Sequence, residues 1–427
     1  MLIRDPVHGD IALSRLEAAV LDLPEVQRLR GIKQLGTAYL VYPGCVHTRF
    51  DHSLGASAVA HRIVASVRRE GTAISPEMED QIGAAALLHD VTHVPFGHTL
   101  EDERRLFPRH DKGSRLARLL DGALRAALER LGVRAAIAAL LRAEAGTQPP
   151  WASDVISSTL DADLLDYLRR DSRFAGLAQD YDDRVFRYFT VAGGHLALNM
   201  AKHGMERPDA RSEIIQLLRM RYFLTERVYY HHTKVAAGAM ISKAVELALQ
   251  HDVLREADLL ELNDWTLLDR LERSGVPAVS ALIGRLHHRA LLKRGYVISA
   301  QTVAPEPRAT LVARYHESPA ARRTAEDQLA RALGCLPEEL IVYCPALTVM
   351  KEAAALVHTT TGLQRLNETE SEEFSEIKAL EARYANLWRL YVFAPAEHAA
   401  RTAAVAAELF GYASEYAPHG GAPESPD

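Results

Sequence analysis

The 427-residue chain is predicted to be mainly α, with one small β-hairpin and a C-terminal α+β module. Three observations carry that expectation. Apolar residues recur at three- and four-residue spacing from Leu13 to Leu249, a Gly-Gly pair sits between two β-branched and aromatic runs, and beyond about Ile298 short strand-like runs alternate with helical ones.

The helical spacing runs through LEAAVLDLPEVQRLRGIKQL, ASAVAHRIVASVRR, MEDQIGAAALLHD and GSRLARLLDGALRAALERLG, where intervening alanine and arginine add helix propensity. Two loops interrupt it, YPGCVHTR around Pro43 and Gly44 and VPFGHT around Pro95 and Gly97, and both carry histidines. In VFRYFTVAGGHLALNM, Gly193-Gly194 supplies the positive φ angles of a two-residue hairpin. A long amphipathic helix is expected from about Arg211 to Gln250, bearing RMRYFLTERVYYHHTK. TLVARY, ELIVYC and LWRLYVFAP read as short strands, alternating with the helical PAARRTAEDQLARAL and HAARTAAVAAELFG. The expected organisation is a main helical domain over 1–297, an α+β module over 298–413 and a tail over 414–427, where PHGGAPESPD has a disordered composition.

Composition bounds the function. A hydrophobic fraction of 48% and a charged fraction of 25% belong to an ordinary soluble globular protein. The formal charge of -6 argues against a protein that mainly coats nucleic acid, which needs a clustered excess of lysine and arginine. Cys45, Cys335 and Cys344 are too few and too scattered for a disulfide framework or a thiolate zinc site, which fits a reducing cytoplasm. The opening MLIRDPVHGDIAL breaks the apolar core that a secretory signal needs, and no later stretch is apolar for long enough to span a bilayer.

Four residues suggest chemistry. His89 and Asp90 end an alanine-rich helical stretch, with His52 upstream and Asp163 downstream. Adjacent helical residues project about 100° apart, so His89 and Asp90 share an ion only near the end of their helix, where Thr92 and Pro95 break the turn. The run AAALL before them points to burial, and buried ionisable groups need a partner such as a metal. Two imidazoles with two carboxylates suit Mn, Fe, Zn or Ni better than Ca and do not select among the four metals. His93, His98, His110 and Asp111 add proton donors and acceptors that work near neutral pH beside a cation able to acidify water. Asp163, Tyr167 and Asp171 recur at four-residue spacing in DADLLDYLRRD, stacking a ligand, a phenol and a carboxylate on one helix face.

The segments DPVHG, LPEVQRLRGIKQLG, YPGCVHTRFDHSLG, LLHDVTHVPFGH, DADLLDYLRRD and RVYYHHTK, in this order over roughly the first 240 residues, resemble the HD-domain phosphohydrolases. The similarity is to the deoxynucleoside triphosphate triphosphohydrolase (dNTPase) branch, which includes the vertebrate members with a sterile-alpha-motif domain. The resemblance implies an HD-type helical fold over 1–297, with His52, His89, Asp90 and Asp163 as metal ligands and His47 outside the set. It also places His93, His98, His110 and Asp111 around the reaction centre, with His98 as proton donor and Glu101 as an orienting carboxylate. The implied reaction is hydrolysis at the α-phosphorus of a dNTP, releasing deoxynucleoside and triphosphate, with Mg accompanying the substrate phosphates.

The same resemblance assigns Arg49 and Arg221 to the phosphates and Gln34, Leu35, Tyr167, Asp171 and Tyr229 to the sugar pocket. Leu164 departs from it, standing where the vertebrate enzymes have a phosphate-binding lysine, so that the contact is either missing, with weaker triphosphate binding or a substrate of fewer phosphates, or supplied elsewhere by Lys234 or Arg170. Asp22, Gln27 and Arg30 match guanine-reading residues of nucleotide-activated members, with Arg4 replacing an asparagine of that site. A guanine nucleotide activator and a homodimer or homotetramer are implied as well. Two alternatives keep parts of this reading: a phosphodiesterase or nucleotidase acting on another nucleotide or an oligonucleotide end, and a nucleotide-sensing regulator whose metal is structural.

Overall fold

The computed structural model describes residues 1–109, 114–144, 148–369 and 375–416. Three helices form its centre. Arg49–Arg69 packs along Pro76–Leu88 on one side and Ala162–Phe174 on another. Each start is locally encoded. Thr48 and Asp51 form a reciprocal capping box, Ser75 accepts from Met78 N ahead of Pro76, and the Asp161 carboxylate accepts from Leu164 N at 2.8 Å. Val59, Ile63, Leu87, Leu88, Leu165 and Leu168 are fully buried between these helices. Gly55 is needed at their crossing, because a Cβ there would collide with the Asp166 carboxylate and the Arg170 guanidinium of the facing helix.

The helix Arg15–Leu21 closes one side through a buried carboxylate. Glu17 caps its own helix with Ser14, accepts from Ser57 Oγ at 2.8 Å and pairs with His61 Nε2 at 2.7 Å. Burial opposes protonation of His61, yet Glu17 and Glu79 raise its pKa to about 9. A histidine raised above its ordinary 6.5 contributes stability that is complete below 6.5 and is lost as pH rises through 9. Thermal melts are therefore expected to show Tm falling between these pH values, with the slope flattened in His61→Gln; equal slopes would contradict the pairing.

Phe189–Ala192 and His195–Asn199 pair antiparallel around Gly193 (φ 58°) and Gly194 (φ 83°), the expected hairpin. A second hairpin, absent from the sequence reading, joins Leu2–Asp5 to Gly9–Ala12. Its turn is built by the Asp5 carboxylate, which accepts from Val7 N and His8 N at 2.8 and 2.7 Å. The helix expected over Arg211–Gln250 is two helices, Pro208–Leu224 and His232–Gln250, joined through a wide turn at Thr225–Tyr229. There the Thr225 hydroxyl donates back to Arg221 O, and His231 leaves helical geometry with ψ 125°.

The C-terminal half departs from the expected division at residue 298. Strand Lys293–Ser299 crosses that boundary and pairs with Arg389–Ala394, which also pairs with Ile341–Tyr343. Alternate residues face opposite ways: Val297, Ile341, Tyr391 and Phe393 join the core around the helix His232–Gln250, whereas Tyr296, Ile298, Val342, Leu390 and Val392 meet Leu329 and Phe410. TLVARY is helical instead of a strand, because Pro305–Leu311 and the following turn Val312–His316 bury Leu311, Val312 and Tyr315 at helical spacing. Ser414 and Glu415, expected to open the tail, bond to the edge of this sheet, with Glu415 N donating to Val297 O at 2.8 Å.

The larger correction concerns residues between Met350 and Leu387. Met350, Ala353, Val357, Ile377 and Tyr384 are buried in the core of the first domain and not in the module. Strand Leu356–Thr359 pairs parallel with His195–Asn199, converting the Gly-Gly hairpin into one end of a four-stranded sheet. A strap from the second half of the chain thus returns to complete the first. A buried ion cluster also joins the halves: Arg104, 1% exposed, bonds Glu246 and Glu326, and Lys243 reaches Glu326 at 2.6 Å. Among the described residues no helix is long and apolar enough to cross a membrane.

Candidate metal and phosphate site

Four of the sequence-derived residues meet at one point. His52 lies in the second turn of Arg49–Arg69, His89 and Asp90 follow the last turn of Pro76–Leu88, and Asp163 opens Ala162–Phe174. His52 Nε2 is 3.2 Å from His89 Nε2, 2.9 Å from an Asp163 oxygen and 3.8 Å from Asp90 Oδ2. Both imidazoles are oriented from behind. His52 Nδ1 bonds Asp166 Oδ2 and His89 Nδ1 bonds Ala86 O, each at 2.7 Å, so both Nε2 atoms face inward.

This donor set fits a divalent cation. Two Nε2 atoms bound at about 2.1 Å to one tetrahedral or octahedral ion stand roughly 3.0–3.4 Å apart, which matches the spacing found. His52, His89 and Asp163 offer ligand atoms that all lie within 4.8 Å of one another and could hold a metal ion. Burial opposes protonation of His52, but its hydrogen bonds to Asp163 and Asp166 raise its pKa to about 10. Asp163 is correspondingly held far below the carboxylate range by the two histidines, against the effect of burial.

Asp166, absent from the sequence-derived set, anchors the whole arrangement. It is fully buried and accepts from His52 Nδ1, His8 Nε2 and the Arg170 guanidinium, all within 2.9 Å. Arg170 in turn bonds Asp5 at 2.9 Å, fastening the N-terminal hairpin behind the site. The signal was legible as Asp166 and Arg170 four residues apart in DADLLDYLRRD, with Asp5 and His8 in DPVHG. This engagement removes Arg170 as a replacement phosphate ligand, since its side chain is 0% exposed.

On the far side of the quartet, His93 Nε2 contacts Asp90 Oδ1 at 3.0 Å, and its ring meets the His98 ring edge-on at 4.8 Å. His98 is 42% exposed, with Nδ1 3.3 Å from Glu101, and Glu101 is buried against Arg115 at 2.5 Å. The turn carrying His98 is held in an unusual backbone form, with Phe96 at φ 60° and Gly97 at φ 57°. The buried Asp264 carboxylate stabilises it by accepting from Phe96 N at 2.7 Å and from Lys33 N at 2.9 Å. Gly97 also needs its missing side chain, because a Cβ would press on the Arg49 guanidinium. His110 and Asp111 lie outside the described residues.

Of the residues that the resemblance assigns to substrate, Arg49 touches the quartet. Arg49 Nη1 bonds Asp90 Oδ2 at 2.7 Å, while its buried Nε and the Gln34 Oε1 have no hydrogen-bond partner among the described residues. The Arg221 guanidinium stands 5.3 Å from both the Tyr167 and Tyr229 rings. Asp171 accepts from Tyr229 Oη at 2.7 Å and pairs with His47 Nε2 at 2.8 Å, and His47 stacks on Phe174. Leu35 is buried at 7% exposure, and Leu164 is likewise buried at 5%. Lys234 is half-buried on the first turn of His232–Gln250, and burial lowers its pKa. Gln27 and Arg30 bond each other at 2.8 Å, with Arg30 over the Phe50 ring, and Asp22 ends the preceding helix. Arg4 pairs with Asp10 on the surface.

Residues 49–171, which contain the quartet, match the HD domain, and residues 213–418 match the HD associated region. The chain is an HD-domain protein. An uncharacterized protein of Methanocaldococcus jannaschii is 29% identical to this HD protein over 408 residues, covering 93% of it and 79% of the relative. An uncharacterized protein of Bacillus subtilis is 30% identical over 257 residues, 59% of this chain and 57% of the other. The deoxynucleoside triphosphate triphosphohydrolase SAMHD1 of Bos taurus is 27% identical over 290 residues, 58% of this chain and 48% of that enzyme. The HD protein thus spans about half the length of the bovine enzyme. In fold it is similar to a phosphohydrolase of Bacteroides thetaiotaomicron, with a TM-score of 0.70 at 24% identity, covering 92% of this chain and 100% of the other. A hypothetical protein of Aquifex aeolicus has the same TM-score at 20% identity, covering 95% and 99%.

Proposed function

We propose that this HD protein hydrolyses deoxynucleoside triphosphates to deoxynucleoside and inorganic triphosphate, with His52, His89, Asp90 and Asp163 holding one divalent ion. The observation that carries the proposal is the convergence of two inward-facing Nε2 atoms and two carboxylates beside a set of proton-transfer groups and arginines. Similarity to the SAMHD1 triphosphohydrolases supports the choice of substrate. A bound divalent ion would supply Lewis acidity toward the phosphoryl group and would lower the pKa of water.

The residues of the chain divide the remaining work. Arg49 and Arg221 orient the phosphates, and Tyr167 packs under the sugar with Asp171 accepting from its hydroxyl. As the bond from phosphorus to the 5′-oxygen breaks and water oxygen takes its place, His98 delivers a proton to the leaving oxygen. Glu101 holds the other side of the His98 ring and is itself fixed by Arg115. A homodimer or homotetramer and a guanine nucleotide activator near Asp22, Gln27 and Arg30 belong to the same reading.

Product analysis tests it. Purified protein incubated with dATP and Mn or Mg is expected to release triphosphate in step with deoxyadenosine. Release of orthophosphate or pyrophosphate would refute the reaction. The phosphodiesterase or nucleotidase reading is favoured by one observation, the buried Leu164 in place of a phosphate-binding lysine, and a parallel assay with nucleoside monophosphates and cyclic dinucleotides separates the two.

A further inference from the structure

The cations assigned to substrate phosphate already face carboxylates. Arg49 bonds Asp90, and Lys234 lies in the field of Glu103, Asp102 and Asp171. Arg221 is the informative case, because its carboxylate comes from outside the quartet and from the other half of the chain. Glu352 Oε1 approaches Arg221 Nε at 3.1 Å, with side chains 11% and 23% exposed respectively. The two are close but misaligned, since Arg221 Nε makes no hydrogen bond among the described residues. Misalignment leaves a Coulomb contact without the added strength of a charge-assisted hydrogen bond, the kind of contact that a better-fitting anion displaces.

The backbone beneath Glu352 is fixed. The short helical turn Lys351–Ala354 sits between buried Met350 and Ala355, Leu366 N donates to Ala355 O at 2.9 Å, and the next strand pairs with His195–Asn199. Tyr384, from the same strap, meets Thr225 Oγ1 at 3.2 Å one turn after Arg221. The strap therefore stands against Arg221, and the Glu352 side chain has to turn for another anion to pair with Arg221 Nε.

We propose that Glu352 is an internal competitor for phosphate at Arg221 and biases this pocket against highly charged polyphosphates. The inference rests on the reading that Arg221 faces substrate phosphate. It joins two features of this chain, the leucine at 164 and the carboxylate at 352, into one consequence: the phosphate end of the pocket has less free positive charge than its arginines suggest. A second anion at Arg221 pays the cost of separating the existing pair.

The test uses inorganic triphosphate as the probe, titrated calorimetrically into the full chain at constant Mn. Glu352→Gln, which keeps the shape, is expected to bind it about tenfold more tightly than the wild type. Glu352→Ala serves as a second variant, with thermal melts confirming that each is folded, and the gain is expected to disappear when Arg221→Gln is added. Equal affinity in the wild type and both Glu352 variants, a gain that survives loss of Arg221, or no binding by any form would each overturn the proposal. The dATP product assay is independent of this one. Tighter triphosphate binding without hydrolysis sinks the reaction and leaves the competition standing, whereas hydrolysis with no gain in Glu352→Gln sinks the competition alone.

Discussion

Asp166→Ala is expected to cost about 3–5 kcal/mol of stability, because it leaves the buried Arg170 guanidinium with only part of its compensation. The same change frees His52 and His8 from the carboxylate that orients them. In a chain of this size the loss corresponds to a fall in Tm of about 10 °C or less, accompanied by weaker metal binding. Outer-shell partners of ligating histidines typically contribute about 10–100-fold in metal affinity, so elemental analysis of the purified variant should show a clear deficit. Asp166→Asn keeps the shape but not the charge, and is expected to lie between alanine and wild type on both measures. An alanine variant with wild-type Tm and full metal content would remove Asp166 from its assigned role.

Asp163→Ala has the opposite profile. Its carboxylate is 40% exposed on the first turn of its helix, and the cap of that helix is Asp161. Helix and core therefore keep their support, and circular dichroism should be unchanged. The inward-facing histidines lose a carboxylate that stands only 2.9 Å from His52 Nε2. Metal content and phosphohydrolase activity are expected to fall together, by more than about 100-fold if removing a direct ligand exceeds the usual outer-shell effect. Full activity in this variant contradicts the proposed ligand set. The two variants separate stability from chemistry: Asp166→Ala lowers both, and Asp163→Ala lowers chemistry alone.

Much of the fold was legible because its causes are local. Helical periodicity and the positive-φ pair Gly193-Gly194 act within a few residues of each other, as do the caps at Thr48, Ser75 and Asp161 that the structure adds. The His-rich segment and the acidic helix DADLLDYLRRD were readable for a similar reason, since imidazoles and carboxylates at those spacings share helix faces and helix ends. TLVARY misled because β-branched and aromatic residues also suit a buried helix of short length. The break at Thr225–Tyr229 was hidden because its apolar spacing continues across the turn.

By itself, then, the sequence determined where helices begin, where the main hairpin turns, and which histidines and aspartates were available to one site. Tertiary structure decided who partners whom: Asp166 behind His52, Asp5 beneath Arg170, Asp264 under the Phe96 turn, and Glu352 against Arg221. It also decided that residues near Met350 and Tyr384 complete the first core. The physical reason is range. Backbone preference and capping are settled among neighbours, whereas a buried charge takes whichever opposite charge the packed helices bring within reach, and for Lys33 and Asp264 that partner lies 231 residues away.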